Sequence, residues 1–239
     1  LKILIFSFVA FLLHAQEAPA PENLSYRIEW RMVTAGDAKL EFTRSQPNWM
    51  INLKLESAGL VSRLFRVEDT YKVTATEKFC AINTTFDAQE GKRHVLSLQQ
   101  FDNSKHKLLF DERDLVKNTS ERHEMDIAPC TYEILGALAA LREFHLEPGK
   151  SVTLPIANGK KMAYAKIEAE GKENVTLDGK TYPAMRYEAF IFDGILFRKK
   201  GRAFVWLTDD AERMPIQMRF QMGFPIGNIT LELEKTAKP

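Results

Sequence analysis

The chain has 239 residues, 45% of them hydrophobic, enough for a sizeable core in one or two domains. Lys+Arg 33 against Asp+Glu 32 gives a formal net charge of +1, which argues against a nucleic-acid binder, since such proteins usually carry a basic excess. The same balance gives no reason to expect attraction to an anionic membrane surface.

Lys2 precedes an apolar run from Ile3 to Leu13, interrupted only by Ser7. The run has the length of a signal-peptide core and falls short of the roughly 20 residues that span a bilayer. Residues 1–15 are therefore predicted to be a signal peptide cleaved after Ala15, and residues 16–23 a flexible lead-in containing Pro19 and Pro21. Residues 24–235 are predicted to be a single β-rich domain, with a tail at 236–239. The alternative for the apolar run is a buried core segment. Export is the expectation, to a bacterial periplasm or otherwise to the outside. No Cys follows the run to suggest a lipid anchor, and no later segment is long and apolar enough for a transmembrane helix.

Period-two alternation dominates from Leu24 onward. Leu24, Tyr26, Ile28, Trp30 and Met32 alternate with polar residues, Ala35-Gly36-Asp37 is the expected turn, and Ala38, Leu40 and Phe42 continue the pattern. Trp49, Ile51, Leu53 and Leu55 form a further strand, as do Val67 to Ala75, Phe79 to Phe86, Arg93 to Phe101 and Lys105 to Asp111. From Pro129 to Phe144 the spacing changes: Ile134, Leu135, Leu138 and Leu141 recur at helical intervals, ended by Glu147-Pro148-Gly149. Strands resume over Ser151 to Ile156, Lys161 to Glu170, Met185 to Phe192, Ala203 to Leu207, Met214 to Met222 and Asn228 to Leu233. Turns are expected at Asn158-Gly159 and Asp178-Gly179. The predicted class is mainly β, an antiparallel sheet packed with one long helix.

No catalytic signature emerges. His94, His106, His123 and His145 are scattered without metal-ligand spacing, and His123 lies in a charged stretch, Glu121 to Asp126, that reads as a solvated loop. Asp209-Asp210, and Glu112 with Asp111 or Asp114, sit in turn-like contexts where Asp favours local geometry. No nucleophile elbow or phosphate loop occurs, and no metal or cofactor is implied. Asn23, Asn83, Asn118, Asn174 and Asn228 begin N-x-S/T triplets, which matter only in a eukaryotic secretory route. Cys80 and Cys130 are an even pair that invites a disulfide in an oxidising compartment; two separate buried thiols are the alternative.

Large apolar residues are more informative. Met214, Ile216, Met218, Phe220 and Met222 share one strand face, and Phe190-Ile191-Phe192 and Ile195-Leu196-Phe197 flank Asp193-Gly194. With Trp30, the side chains of Phe192, Phe197, Met218, Phe220 and Met222 are the candidates to line a ligand cavity in a curved sheet. Ordinary core packing is the alternative.

The order of motifs resembles a known family. Leu24 to Phe42 with Ala35-Gly36 is one block, and Asp126 through Leu141-Arg142 to Gly149-Lys150 is a second. The third runs from Val205-Trp206-Leu207-Thr208-Asp209-Asp210 through Met214-Pro215-Ile216 to the final Gly227-to-Leu233 strand. Together these resemble the exported bacterial domain-of-unknown-function 3108 family, over nearly the whole domain. The resemblance implies a strongly curved antiparallel sheet, an open or half barrel beside a helix, similar to periplasmic lipoprotein carriers and receptors that bind acyl chains. It carries over no catalytic residues. The leading expectation is a periplasmic binding or carrier protein, without catalysis, for an apolar small molecule or lipid. A cell-envelope module that binds another protein is the second expectation, and a hydrolase the third.

Overall fold

The computed structural model describes residues 21–190, 201–223 and 227–237. The predicted signal peptide, most of the lead-in, and Phe192 and Phe197 lie outside them. Among the described residues, fourteen strands form one antiparallel sheet, built as two meanders joined side by side. The first meander comprises β1 (Glu22–Trp30), β2 (Val33–Ser45), β3 (Asn48–Ser57), β4 (Val67–Ala75), β5 (Ala81–Glu90), β6 (Arg93–Asp102), β7 (Lys107–Asp114) and β8 (Thr119–Asp126). The second comprises β9 (Ser151–Ala157), β10 (Met162–Leu177), β11 (Lys180–Ala189), β12 (Gly201–Thr208), β13 (Pro215–Met222) and β14 (Asn228–Ala237). They meet where β14 pairs with β1, so β8 and β9 are the two outer edges. Two helices among the described residues interrupt the strands: α1 (Gly59–Leu64) between β3 and β4, and α2 (Ile134–Glu143) between the two meanders.

Local chemistry explains where strands turn. The β1–β2 connection is the two-residue loop Arg31-Met32, with φ of 51° and 65°, the left-handed pair that a tight hairpin needs. The expected turn at Ala35-Gly36-Asp37 is instead inside β2. Gly36 is required there by close approach: a Cβ would stand 2.1 Å from the Glu56 carbonyl oxygen of the neighbouring strand. The stretch Glu121 to Asp126, expected as a loop, is the edge strand β8. Helix α2 begins at Ile134 rather than near Pro129, because Pro129 and Cys130 form a turn, with Cys130 at φ 54°, and Tyr132 then makes a parallel bridge to Ile156 of β9.

Successive strands rotate by roughly 20–25°, so fourteen of them roll up. The roll overlaps rather than closes. The β9–β10 turn tucks under the far wing, where His123 Nε2 lies 2.8 Å from the Gly159 carbonyl oxygen and Lys160 pairs with Glu112 at 2.8 Å. Gly159, at φ 86°, lies so close to the Phe110 ring that a Cβ would be 2.3 Å from it. Ala81, Phe101, Leu108, Ile127 and Ala157 form a small second core at this overlap. The main core fills the concave face of the remaining strands and surrounds α2.

Candidate functional site

Helix α2 plugs one end of the roll. Glu133 caps it, its carboxylate accepting from Leu135 N at 2.8 Å. Cys80 and Cys130 are disulfide-bonded, fastening the segment that enters the helix to the start of β5. Backbone hydrogen bonds reinforce this join, from Ala81 N to Thr131 O at 2.9 Å and from Tyr132 N to Pro155 O at 2.8 Å. At the other end of α2, Arg142 grips Glu22 of β1 through two hydrogen bonds of 2.6 and 3.0 Å. The buried Arg213 guanidinium donates to the carbonyls of Arg142 and Phe144 and to the Tyr187 hydroxyl, satisfying helix-end carbonyls that would otherwise lack partners.

Burial along the inner face follows from this plug. On β13, Ile216 is 0% exposed and Met218 8%, whereas Phe220 and Met222 are half-buried. On β1, Leu24 and Tyr26 are sealed, while Ile28 and Trp30 are half-buried. On β3, Ile51 is sealed and Leu53 and Leu55 are not. Cross-strand pairing puts these residues in rows: Ile28, Leu231 and Met218 form one, and Trp30, Ile229 and Phe220 the next. On β1, β3 and β13 the inner face is therefore sealed at the α2 end and partly uncovered at the opposite end, whereas Asp69, Ala88 and Val95 of β4 to β6 are buried at that end too.

The wing formed by β4 to β8 presents polar groups to the same interior. The pairing that aligns Tyr71 with Phe86 and Ser97, and Thr84 with Gln99 and Phe110, carries this face across the strands. The Tyr71 phenol faces the Glu133 carboxyl, with Thr84 and Gln99 close by. Thr84 Oγ1 and Gln99 Oε1 are buried beside that phenol, the polar partner within their reach. Burial pushes the Glu133 carboxyl up to about 7, against the opposing pull of the helix N–H groups and Tyr71. Burial and the nearby Glu90 push Asp69 up to about 6.

Of the residues expected to line a cavity, the structure brings Trp30, Phe220 and Met222 to the uncovered end, and Phe192 and Phe197 lie outside the described residues. Met218 is 8% exposed and packs in the main core, one row deeper than Phe220. Ile28, Leu53, Leu55 and Ile229 belong to the same wall and were not singled out, because alternation gives a residue's face but not its depth. A separate cleft of about 210 Å³ lies at the plugged end, among Phe42, Arg44, Trp49, Arg142, His145 and Glu212. Its cations are engaged: Arg142 holds Glu22, and Arg44 pairs with Glu77 while covering Trp49. Asp210 and Asp114 serve their own turns by accepting backbone N–H groups. No group of His, Cys, Asp and Glu suited to a metal occurs among the described residues.

A rolled, unclosed antiparallel sheet with a helix in one end defines a β-barrel-like protein. The crystal structure of a beta-barrel-like protein of domain of unknown function DUF1849 from Brucella abortus is similar, with a TM-score of 0.63 at 10% identity, over 93% of this chain and 99% of that one. The chain itself belongs to the family described as Protein of unknown function (DUF3108), which matches residues 25–234. No curated protein matches it.

Proposed function

We propose that the protein is a binding module of the cell envelope, reached by export, that holds an apolar or amphiphilic ligand in the uncovered end of its roll and performs no chemistry on it. The observation that carries this reading is the burial gradient from Ile216 to Met222. Leaving apolar surface wet forgoes about 25 cal/mol per Å², so a half-covered wall of Ile28, Trp30, Leu53, Phe220 and Ile229 is a natural seat for an acyl chain or similar group. The polar wing opposite, with Asp69, Tyr71 and Ser97, can face the ligand's polar end. The titratable Glu133 supports this reading over hydrolysis, since its carboxylate is taken up in capping α2.

Titration with a fluorescent fatty acid tests it. Wild type should bind saturably. Phe220→Gln and Met222→Gln should weaken binding about tenfold while the unfolding midpoint moves little, because both sites are only half-buried. Absence of saturable binding, or equal binding by both variants, would refute the reading. Export predicts a mature N-terminus within a few residues of Gln16, which N-terminal sequencing of the processed protein reads directly.

A further inference from the structure

The balanced net charge conceals a separation between the two ends of the roll. The turns that end β1, β3, β5 and β7 follow one another along one rim, on the side where the inner face is uncovered. They comprise residues 31–32, 58–66, 91–92 and 115–118. Contacts make the rim continuous: Ala58 N bonds to Ala35 O, Gly91 N to Arg66 O, and Leu115 N to His94 O. Gly91 also lies against the Phe65 ring.

Every charged residue in those turns is basic: Arg31, Arg63, Arg66, Lys92 and Lys117. All five are exposed. Arg66 and Lys117 reach back to Glu68 and Asp114 on the strands. The same turns carry half of the exposed large apolar side chains of the described residues, among them Met32 at 94%, Leu64 at 74%, Leu60 at 64% and Val116 at 62%. The opposite turns, residues 46–47, 76–80, 103–106 and 209–214, contrast on both counts. They hold Glu77, Asp209, Asp210 and Glu212 against Lys78, Lys105 and Arg213, and none of their large apolar side chains is exposed.

We infer that this rim docks on the surface of an anionic lipid bilayer. Leu60, Leu64, Met32 and Val116 would enter the boundary between headgroups and acyl chains, and the cations would meet the lipid phosphates. Apolar side chains beside basic ones, with no acidic residue between them along the turns, match an anionic interface in both chemistry and sign. The contact inferred is peripheral, made by these turns alone; no helix among the described residues is long and apolar enough to cross a membrane. This contact also sets the uncovered end of the roll against the bilayer, although the inference rests on the rim alone and does not require that a ligand bind inside.

The test uses the full chain with an environment-sensitive fluorophore on single introduced cysteines; the native pair is bridged. Labels at Leu64→Cys and Val116→Cys report the rim, and a label at the exposed Ser104→Cys reports the opposite turns. Vesicles of phosphatidylcholine with phosphatidylglycerol should raise the rim labels' intensity about twofold or more, with a shift to shorter wavelength, and leave the Ser104 label unchanged. Arg63→Glu with Lys92→Glu should reduce the response at least about threefold. Because each label reads its own surroundings, vesicle binding through any other part of the chain would leave the rim signal flat. A flat rim signal, an equal change at Ser104, or a rim response that appears without lipid as protein concentration rises would each overturn the inference, the last by making the rim a protein–protein contact.

Discussion

Gly136 of α2 lies directly against Phe79, and a Cβ on Gly136 would stand 2.8 Å from the Phe79 carbonyl oxygen. That oxygen is backbone, held in a turn where Phe79 N bonds to Thr76 O and Thr76 N to Cys80 O. Gly136→Ala should therefore push the plug out of place and destabilise the protein by about 1–3 kcal/mol despite alanine's better helix propensity. Gly171, at a bulge in β10, has open space where its Cβ would go. Gly171→Ala should change stability by less than about 1 kcal/mol. Denaturant titration of both variants checks the contrast.

The disulfide spans 50 residues, including β5 to β8. Its loss should cost about 4 kcal/mol if loop entropy dominates. The double variant Cys80→Ser with Cys130→Ser should show this as a lower denaturation midpoint. Alkylation of denatured, unreduced wild type should find no reactive thiol.

Glu133 and Asp69 give stability a definite pH dependence. Both carboxyls are raised in the folded protein, to about 7 and about 6. Between the ordinary carboxylate range near 4.5 and pH 7 the folded state keeps protons that the unfolded chain has released, so stability falls as pH rises through that window. The loss should be on the order of 3 kcal/mol for Glu133 alone. Glu133→Gln keeps an acceptor for Leu135 N and should remove the Glu133 share of the slope, leaving that of Asp69. Urea titrations across that window read it.

The gradient along the inner face predicts unequal costs for one residue type. Ile216 is fully buried and Ile229 half-buried. Ile216→Ala should cost about 2–5 kcal/mol, and Ile229→Ala less than about 2. Equal costs, measured as unfolding free energies, would mean that the face is sealed along its whole length.

Much of the fold could be read from the residues. Alternation placed Leu24, Tyr26 and Ile28 on one face, and the spacing of Leu135, Leu138 and Leu141 marked the one long helix. Two errors have physical causes. The Arg31-Met32 turn carries none of the Gly or Asn that usually supplies left-handed φ, so the glycine at Gly36 drew the turn to itself. Strand β8 reads as solvated because, of its inward residues, Glu121 and His123 face Lys160 and the Gly159 carbonyl, and Met125 alone packs on the small second core. The candidate site was half legible. Residue type and alternation bring out Phe220 and Met222, but only the position of the α2 plug separates them from the sealed Met218. The charged rim was invisible in the net charge, because turns far apart in sequence become neighbours only once the strands pair.

Native mass spectrometry of the protein purified from its own host, without delipidation, shows whether the uncovered end of the roll holds an apolar or amphiphilic ligand. A discrete adduct of lipid mass, released on unfolding and reduced in Phe220→Gln, is the predicted result. A bare mass matching the polypeptide alone, in wild type kept folded throughout, would contradict it.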